Sequence, residues 1–501
     1  MSNFFHFFRA LKIVYILSRK GILYKVSNSN LVPPRFLFFL NIFNFFIGKD
    51  ISNDAIGSTL VRILEGLGPA FVKLGQALAT RPDIIGVDLA NELAQLHDKM
   101  EPFSFEKVKK SIKSETGKEI GEVFKSFDEK PIAAASISQV HKGITFENET
   151  VAIKILRPGI EKAIFNDLRF FKWCANFLSS LDKEILFLRL PKAVEIFEDL
   201  TKNEMDLRLE AAAANELEEN FSDDERFLVP KIYWAYTTKR ILVSSWVDGT
   251  KINDLDNLRA SDQDIETITK NSAEAFFLQV FRDGFFHADM HPGNVFILPD
   301  GKIAPVDFGI MGRLQVSDRI FLARLLKSIL EHNFLKVAQL HSDKGILPSG
   351  SSIDSFAQEI RSLSTPILNK KLGQISLGTL LGELFGLASK WRLKIQPQFL
   401  LLQKTMVMAE GIGRQLNPET DMWVMSKPLV NDWLSSNDLK KKFIEEVYMD
   451  LKMTSKKLPE LIHKIDLILD HKNQDNVTTL SKSLKVFLFA FITVLIIFIL
   501  I

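Results

Sequence analysis

The chain has 501 residues, with 63 basic against 61 acidic side chains, a net charge of +2 and 46% hydrophobic residues. That apolar share supports a large buried core and excludes an intrinsically disordered chain, and the near-neutral balance excludes a strongly basic nucleic-acid binder. The single cysteine, Cys174, removes a disulfide framework and a Cys-based zinc site, so the chain reads as facing a reducing compartment and any metal needs oxygen or histidine ligands.

Phenylalanine occurs 41 times against 5 tyrosines, and much of it lies near the termini, which points to a membrane surface. Residues 4–17 mix Phe, Ile and Leu with Arg9 and Lys12, followed by Arg19 and Lys20, without a continuous apolar core or a small-residue cleavage site. A signal peptide is therefore not expected. Residues 36–47 are strongly apolar but too short for a bilayer core of about 30 Å, and read as a core or interfacial helix. A helical pattern over about 55–125 contains Lys73 and Gln76, three apart on one helix face, before Pro82.

Val151, Ile153 and Ile155 then alternate with Ala152, Lys154 and Leu156, the period of a strand with Lys154 on the face opposite the aliphatic stripe. A helix over 192–220 offers three acids, Glu204, Asp206 and Glu210. Asp206 and Glu210 fall on one face, while Glu204 is rotated away by about 160°. Segments 231–235 and 240–246 read as a hairpin, and 295–298 with 303–306 as a second one closed by Asp300-Gly301.

The densest polar cluster runs from Asp283 to Asn294 and contains His287, Asp289 and His291; after one hairpin come Asp307-Phe308-Gly309. Asp289 and Asn294 are five apart on a loop that enters a strand. A carboxylate there can meet an acceptor hydroxyl or water, while the Asn294 amide and Asp307 hold Mg²⁺ against nucleotide phosphates. Lys154 supplies a cation for those phosphates, and an acid on the following helix would orient it. A glycine-rich loop ought to precede Lys154. In its place stands an alanine-rich turn at 131–141, with Ala133, Ala134, Ala135 and Ser136, stiffer than glycine and adding a methyl group at each alanine. No GxxxxGK[ST] motif occurs, and residues 310–313 lead directly into a helical pattern, too short for a peptide-docking loop.

Taken together, Lys73-Leu74-Gly75-Gln76, the alanine turn, Glu204-x-Asp206, the His287-to-Asn294 loop and Asp307-Phe308-Gly309 resemble the UbiB family of atypical kinase-like proteins over about residues 60–320. The resemblance implies an α+β, protein-kinase-like two-lobed fold with a helical N-terminal extension over the active site, ATPase chemistry and a role in ubiquinone biosynthesis. It further implies ATP or ADP with magnesium (Mg²⁺) as cofactors, with Lys154 as nucleotide lysine and Glu210 as its helix partner. Asn294 and Asp307 become metal ligands, Asp289 the catalytic-loop aspartate and Ala133–Ser136 the phosphate loop. Lys73 with Gln76 is expected to reach towards Glu204 and Asp206. Two departures stand out: Met290 where relatives often carry proline, and one C-terminal apolar segment where bacterial relatives tend to have two.

That last segment, 484–501, has one charge, Lys485, ahead of a run of uncharged residues that covers about 24 Å at about 1.5 Å per residue. It reads as a transmembrane anchor, with Lys482 and Lys485 keeping its N-terminal flank cytoplasmic. The expected organisation is a Phe-rich membrane-interfacial segment over 1–60, a helical extension over 61–130, an N-lobe over 131–250, a C-lobe over 251–425, a helical tail over 426–483 and an inner-membrane anchor over 484–501. Expected partners are membrane lipid, quinone precursors and other ubiquinone biosynthesis proteins, and no nucleic acid. A two-His-one-carboxylate iron site on His287 and Asp289 leaves Asn294, Asp307 and Lys154 without work. A zinc protease needs Glu where Ala288 stands. A kinase of the aminoglycoside-phosphotransferase type shares the Asp289, Asn294 and Asp307 pattern but lacks the Lys73/Gln76 helix and the alanine turn. A nucleotide-gated lipid-handling scaffold without turnover is the rival from outside the enzymes.

Overall fold

The computed structural model describes residues 3–22, 56–79, 101–181, 190–261, 263–368, 396–417 and 422–436, with isolated positions around 89–96 and 387–394. The chain divides into two compact units, residues 1–434 and 435–501, and the second lies almost wholly outside the described residues. The apolar segments at 36–47 and 484–501 fall outside them too. Among the described residues no helix is long and apolar enough to cross a membrane.

Among the described residues the chain opens with α1 (Asn3–Arg19), α2 (Ile56–Leu67) and α3 (Pro69–Ala79), followed by α4 (Phe105–Thr116) and the short α5 (Ile120–Val123). A five-stranded antiparallel sheet then forms from β1 (Ser126–Phe127), β2 (Ala133–Ala134), β3 (Ser138–Ile144), β4 (Thr150–Leu156) and, much later, β5 (Ile241–Ser245). Its order is β1-β3-β4-β5, with β2 paired to β3. The alternation in β4 decides which face is which. Val151, Ile153 and Ile155 are fully buried and pack with Ile241 and Val243 against Val108 and Ile112 of α4 and Phe124 after α5. Lys154, opposite Val140 and Leu242 in the ladder, is thereby forced to the other face.

Between β4 and β5 lie α6 (Ile160–Leu181), α7 (Leu190–Glu204) and α8 (Leu207–Asn220). α6 packs against α1, α3 and α7 around Phe71, Phe170, Phe171 and Phe197. The single helix expected over 192–220 is broken after Glu204. Leu207 sends its N–H to the Lys239 carbonyl at 2.9 Å, out of the helix ladder. Asp206 becomes the N-cap of α8, its carboxylate accepting from the Arg208 N–H. The hairpin expected from 231–235 is also reduced: a turn at Tyr233–Tyr236 folds that segment back, and one bridge, Ile232 to Ser244, remains.

The second lobe holds β6 (Thr250–Lys251), α9 (Leu255–Ala260), α10 (Ile265–Phe277), β7 (Phe285–His287), β8 (Val295–Ile297), β9 (Ile303–Pro305) and β10 (Met311–Arg313). β8 and β9 form the expected hairpin, with Gly301 at φ 82° in its turn. Helices α11 (Val316–Leu330), α12 (Phe334–Asp343), α13 (Ile353–Leu368), α14 (Pro397–Leu416) and α15 (Met422–Ser435) follow. Their core gathers Phe276, Phe277, Phe286, Ile329, Val337 and Phe356.

A π-helical turn, Leu278–Asp283, ends at Gly284 and leads into β7, so the approach to the polar loop depends on one residue. Gly284 has φ 66°, and a Cβ there would stand 2.5 Å from the Leu314 carbonyl oxygen. Gly284→Ala is expected to destabilise this lobe by about 1–3 kcal/mol through the combined backbone strain and clash. A thermal melt in which the variant matches the parent would count against this reading of the turn.

Candidate active site

At the centre of the site, Lys154 Nζ donates to both oxygens of Glu210, at 2.7 and 2.9 Å, and to Asp307 Oδ1 at 2.9 Å. β4 presents the lysine, the first turns of α8 present Glu210, and the segment after β9 presents Asp307 with φ 65°, a conformation short acidic side chains tolerate. Burial works against the Lys154 ammonium, but Asp307 and Glu210 outweigh it and raise its pKa above the ordinary lysine range. Lys154 in turn, with Lys73 adding to it, holds the Asp307 carboxyl well below the usual carboxylate range. Glu210 is pushed up to about 7 by burial, against the pull of Lys154 and with the Asp307 charge adding to the rise. With Glu210 only partly ionised near neutral pH, the cluster of one ammonium and two carboxyls can take up further negative charge, and a cation bound at Asp307 would draw Glu210 towards its ionised form.

The polar loop is a tight turn built on the Asp289 carbonyl, which accepts from His291 N at 2.7 Å and Asn294 Nδ2 at 3.3 Å. With that amide nitrogen turned to Asp289, the Asn294 oxygen is the atom available to a cation. Val306 N donates to the Asn294 carbonyl at 2.8 Å, which ties the loop to the residue before Asp307. His287 adds a second tie: Nδ1 accepts the Asp289 N–H and Nε2 meets the Val306 carbonyl. Burial lowers its pKa. Both ring nitrogens are thus engaged with backbone, which removes His287 from the iron-ligand set. The donors left at the mouth, one carboxylate and one amide oxygen, are hard ligands that suit Mg²⁺ completed by phosphate and water.

The alanine turn is held rather than mobile in its bonding. Ala133 and Ala134 pair with Val140 and Gln139, Ala135 N donates to the Ser138 carbonyl at 2.7 Å, and the Ala135 carbonyl accepts from Arg157 Nε and Nη2. Arg157 Nη2 also reaches the Glu101 carbonyl at 2.9 Å. Ser136 is fully buried, and its hydroxyl has no partner among the described residues. An orphaned hydroxyl in this turn fits a phosphate oxygen.

α3 places Lys73 3.1 Å from Glu204 at the end of α7. Gln76 Nε2 lies 3.4 Å from the Leu96 carbonyl. Asp206, expected beside Glu210 and within reach of Lys73, is instead bound by the Arg208 guanidinium, because the helix break makes it a cap and swings it out of the face Glu210 occupies. Two residues escaped the sequence reading. Arg157, three positions beyond Lys154, had a local signal in its strand-end position. Lys404, whose Nζ lies 2.9 Å from Asp289 Oδ1, had none.

Profiles of known families match this chain in two places, the ABC1 atypical kinase-like domain over residues 95–341 and the UbiB helical domain over residues 360–421. The "Probable protein kinase UbiB" of Pseudomonas paraeruginosa (strain DSM 24068 / PA7) is 39% identical over 382 residues, spanning 75% of this chain and 72% of the relative. The protein of the same name from Pseudomonas aeruginosa (strain LESB58) matches to the same extent. Among solved structures, Rv3197 from Mycobacterium tuberculosis, in complex with erythromycin, aligns with a TM-score of 0.53 at 24% identity, over 75% of this chain and 95% of that one. That likeness is one of fold: mixed helix and sheet in a kinase-like arrangement.

The raised Glu210 carboxyl has a consequence for stability. A carboxyl at about 7 in the folded chain against an ordinary 4.5 binds its proton more tightly when folded, so the stability it carries rises as pH falls from 7 towards 4.5. Relative to Glu210→Gln, the parent is expected to gain about 1–3 kcal/mol across that window without nucleotide. Denaturant midpoints at pH 7.5 and 5 check this, and a parent that loses stability relative to the variant on acidification contradicts it.

Proposed function

The chain belongs to the UbiB family of ABC1 atypical kinase-like proteins, and from that premise we propose that it is a membrane-associated, magnesium-dependent ATPase of kinase-like type that supports ubiquinone biosynthesis. The observation that carries the reading is the Lys154 ammonium clamped by Glu210 on one side and Asp307 on the other. Lys154, oriented by Glu210, would meet the nucleotide phosphates, and Asp307 with the Asn294 oxygen would hold Mg²⁺. The bound Mg²⁺ supplies neutralisation of phosphate charge. Ser136 offers its hydroxyl to a phosphate, and Ala133–Ala135, fastened by Arg157, restrict how closely the phosphates approach the backbone. Asp289 faces the acceptor side and takes its proton.

Lys73 paired with Glu204 belongs to the same site: its charge helps keep Asp307 ionised, so the N-terminal extension takes part in setting the electrostatics of nucleotide binding. The strand β10 runs almost directly into α11, which favours water or a small hydroxyl over a protein segment as acceptor. Membrane association is supported by exposed Phe4, Phe5, Phe7 and Phe8 on α1, a helix without a single acid, together with the apolar sequence of 484–501. An inner-membrane setting would bring lipid and quinone precursors to the site.

Asp307→Asn is expected to abolish Mg²⁺-dependent ATP binding, whereas Asp289→Asn retains binding and loses most turnover. An Asp307→Asn protein with an intact circular dichroism spectrum and the parent's Mg²⁺-dependent affinity refutes the nucleotide site. In cells, deletion is expected to deplete ubiquinone and accumulate an early polyprenyl-phenol intermediate. The full chain restores quinone content and a chain truncated after Asn476 does not. Normal quinone content in the deletion strain removes the quinone role, and full restoration by the truncated chain removes the tail as the required anchor.

A further inference from the structure

We propose that Lys404, on α14, is a positioning residue that fixes the carboxylate of Asp289, so that the helix following the kinase-like core completes the active site. The inference rests on the reading of Asp289 as the group that takes the acceptor's proton.

The loop that carries Asp289 contains no basic side chain of its own besides histidine: Met290, His291, Pro292 and Gly293 separate it from Asn294. The other nearby lysines are engaged, Lys154 by Glu210 and Asp307 and Lys73 by Glu204. Lys404 reaches Asp289 Oδ1 at 2.9 Å from 115 positions away. Its backbone has little freedom, because Leu400, Leu402, Thr405 and Met406 around it are all buried. α14 packs along α10 and against β10, the strand that follows Asp307-Phe308-Gly309. Lys404 is therefore delivered by a rigid element, whereas Asp289 sits on a loop with its carboxylate 33% exposed.

A half-exposed carboxylate on a loop samples several rotamers, and a proton acceptor must be held in one. Lys404 takes one oxygen of Asp289, which directs the second towards the acceptor. In the step this serves, the attacking oxygen bonds to the γ-phosphorus as its proton passes to the Asp289 carboxylate. The bond to the β-phosphate oxygen then breaks and ADP leaves. The pair itself is partly solvated, with Lys404 29% exposed, and pairs of that kind add little to stability. A structural role and a positioning role consequently predict different results.

The test is steady-state ATP turnover by the full-length protein with Mg²⁺. Lys404→Met is expected to lower kcat by about 10–100-fold while KM for ATP stays within about twofold, and Lys404→Arg to recover much of the loss. The thermal midpoint should stay near that of the parent; should Lys404→Met fold poorly, Lys404→Gln is read in the same way. In an Asp289→Asn background the same substitution should have no further effect on the residual rate. Parent-like turnover by Lys404→Met, or an equal fold-loss in the Asp289→Asn background, overturns the positioning role while leaving the assignment of Asp289 standing. Parent-like turnover by Asp289→Asn overturns that assignment, and the role of Lys404 with it.

Discussion

A lysine ammonium removed from water has to be met by negative charge, and in this chain the need is met twice. Lys154 lies on the one face of β4 that the aliphatic stripe does not occupy, and Glu210 and Asp307 converge on it from α8 and from the segment after β9. Each comes from a different stretch of chain, 56 and 153 positions downstream. The lobes are joined at this point by charge: the Lys154 cation depresses Asp307, while burial, with the Asp307 charge adding to it, raises Glu210 against the pull of the same cation.

Around that centre the backbone is tied down by a short series of hydrogen bonds. Arg157 fastens the Ala135 carbonyl, His287 links the Asp289 amide to the Val306 carbonyl, and the Asn294 amide caps its own loop. The alanine turn differs from a glycine loop in both sterics and restraint: methyl groups fill space near the backbone, and a guanidinium holds it from the far side. A site preorganised in this way spends little free energy on ordering when a ligand enters, and it discriminates among ligand geometries rather than adapting to them.

Helices at both ends of the kinase-like region contribute charged groups to the site. α3 brings Lys73 to Glu204, and α14 brings Lys404 to Asp289. Both cations stand on elements whose opposite faces are buried, so their placement follows from packing. The UbiB helical domain, matched over residues 360–421, includes α14, which gives that region a physical route to the Asp289 loop.

The sequence alone determined what depends on neighbours a few positions away. The alternation around Lys154, the turn at Asp300-Gly301 and the five-residue separation of Asp289 from Asn294 are properties of local backbone geometry, and they stand as read. The motif set likewise identified the family, because these residue types in this order serve one kind of chemistry. Tertiary structure decided the rest. Asp206 and Glu210 have the four-residue spacing of one helix face, yet a hydrogen bond from Leu207 to distant Lys239 marks a break in the helix that sends Asp206 to Arg208 and leaves Glu210 to Lys154. Lys404 meets Asp289 only because α14 packs on α10. Periodicity carries no information about which distant carbonyl takes an N–H or which helix face meets a loop, since those choices are made by packing across the whole chain.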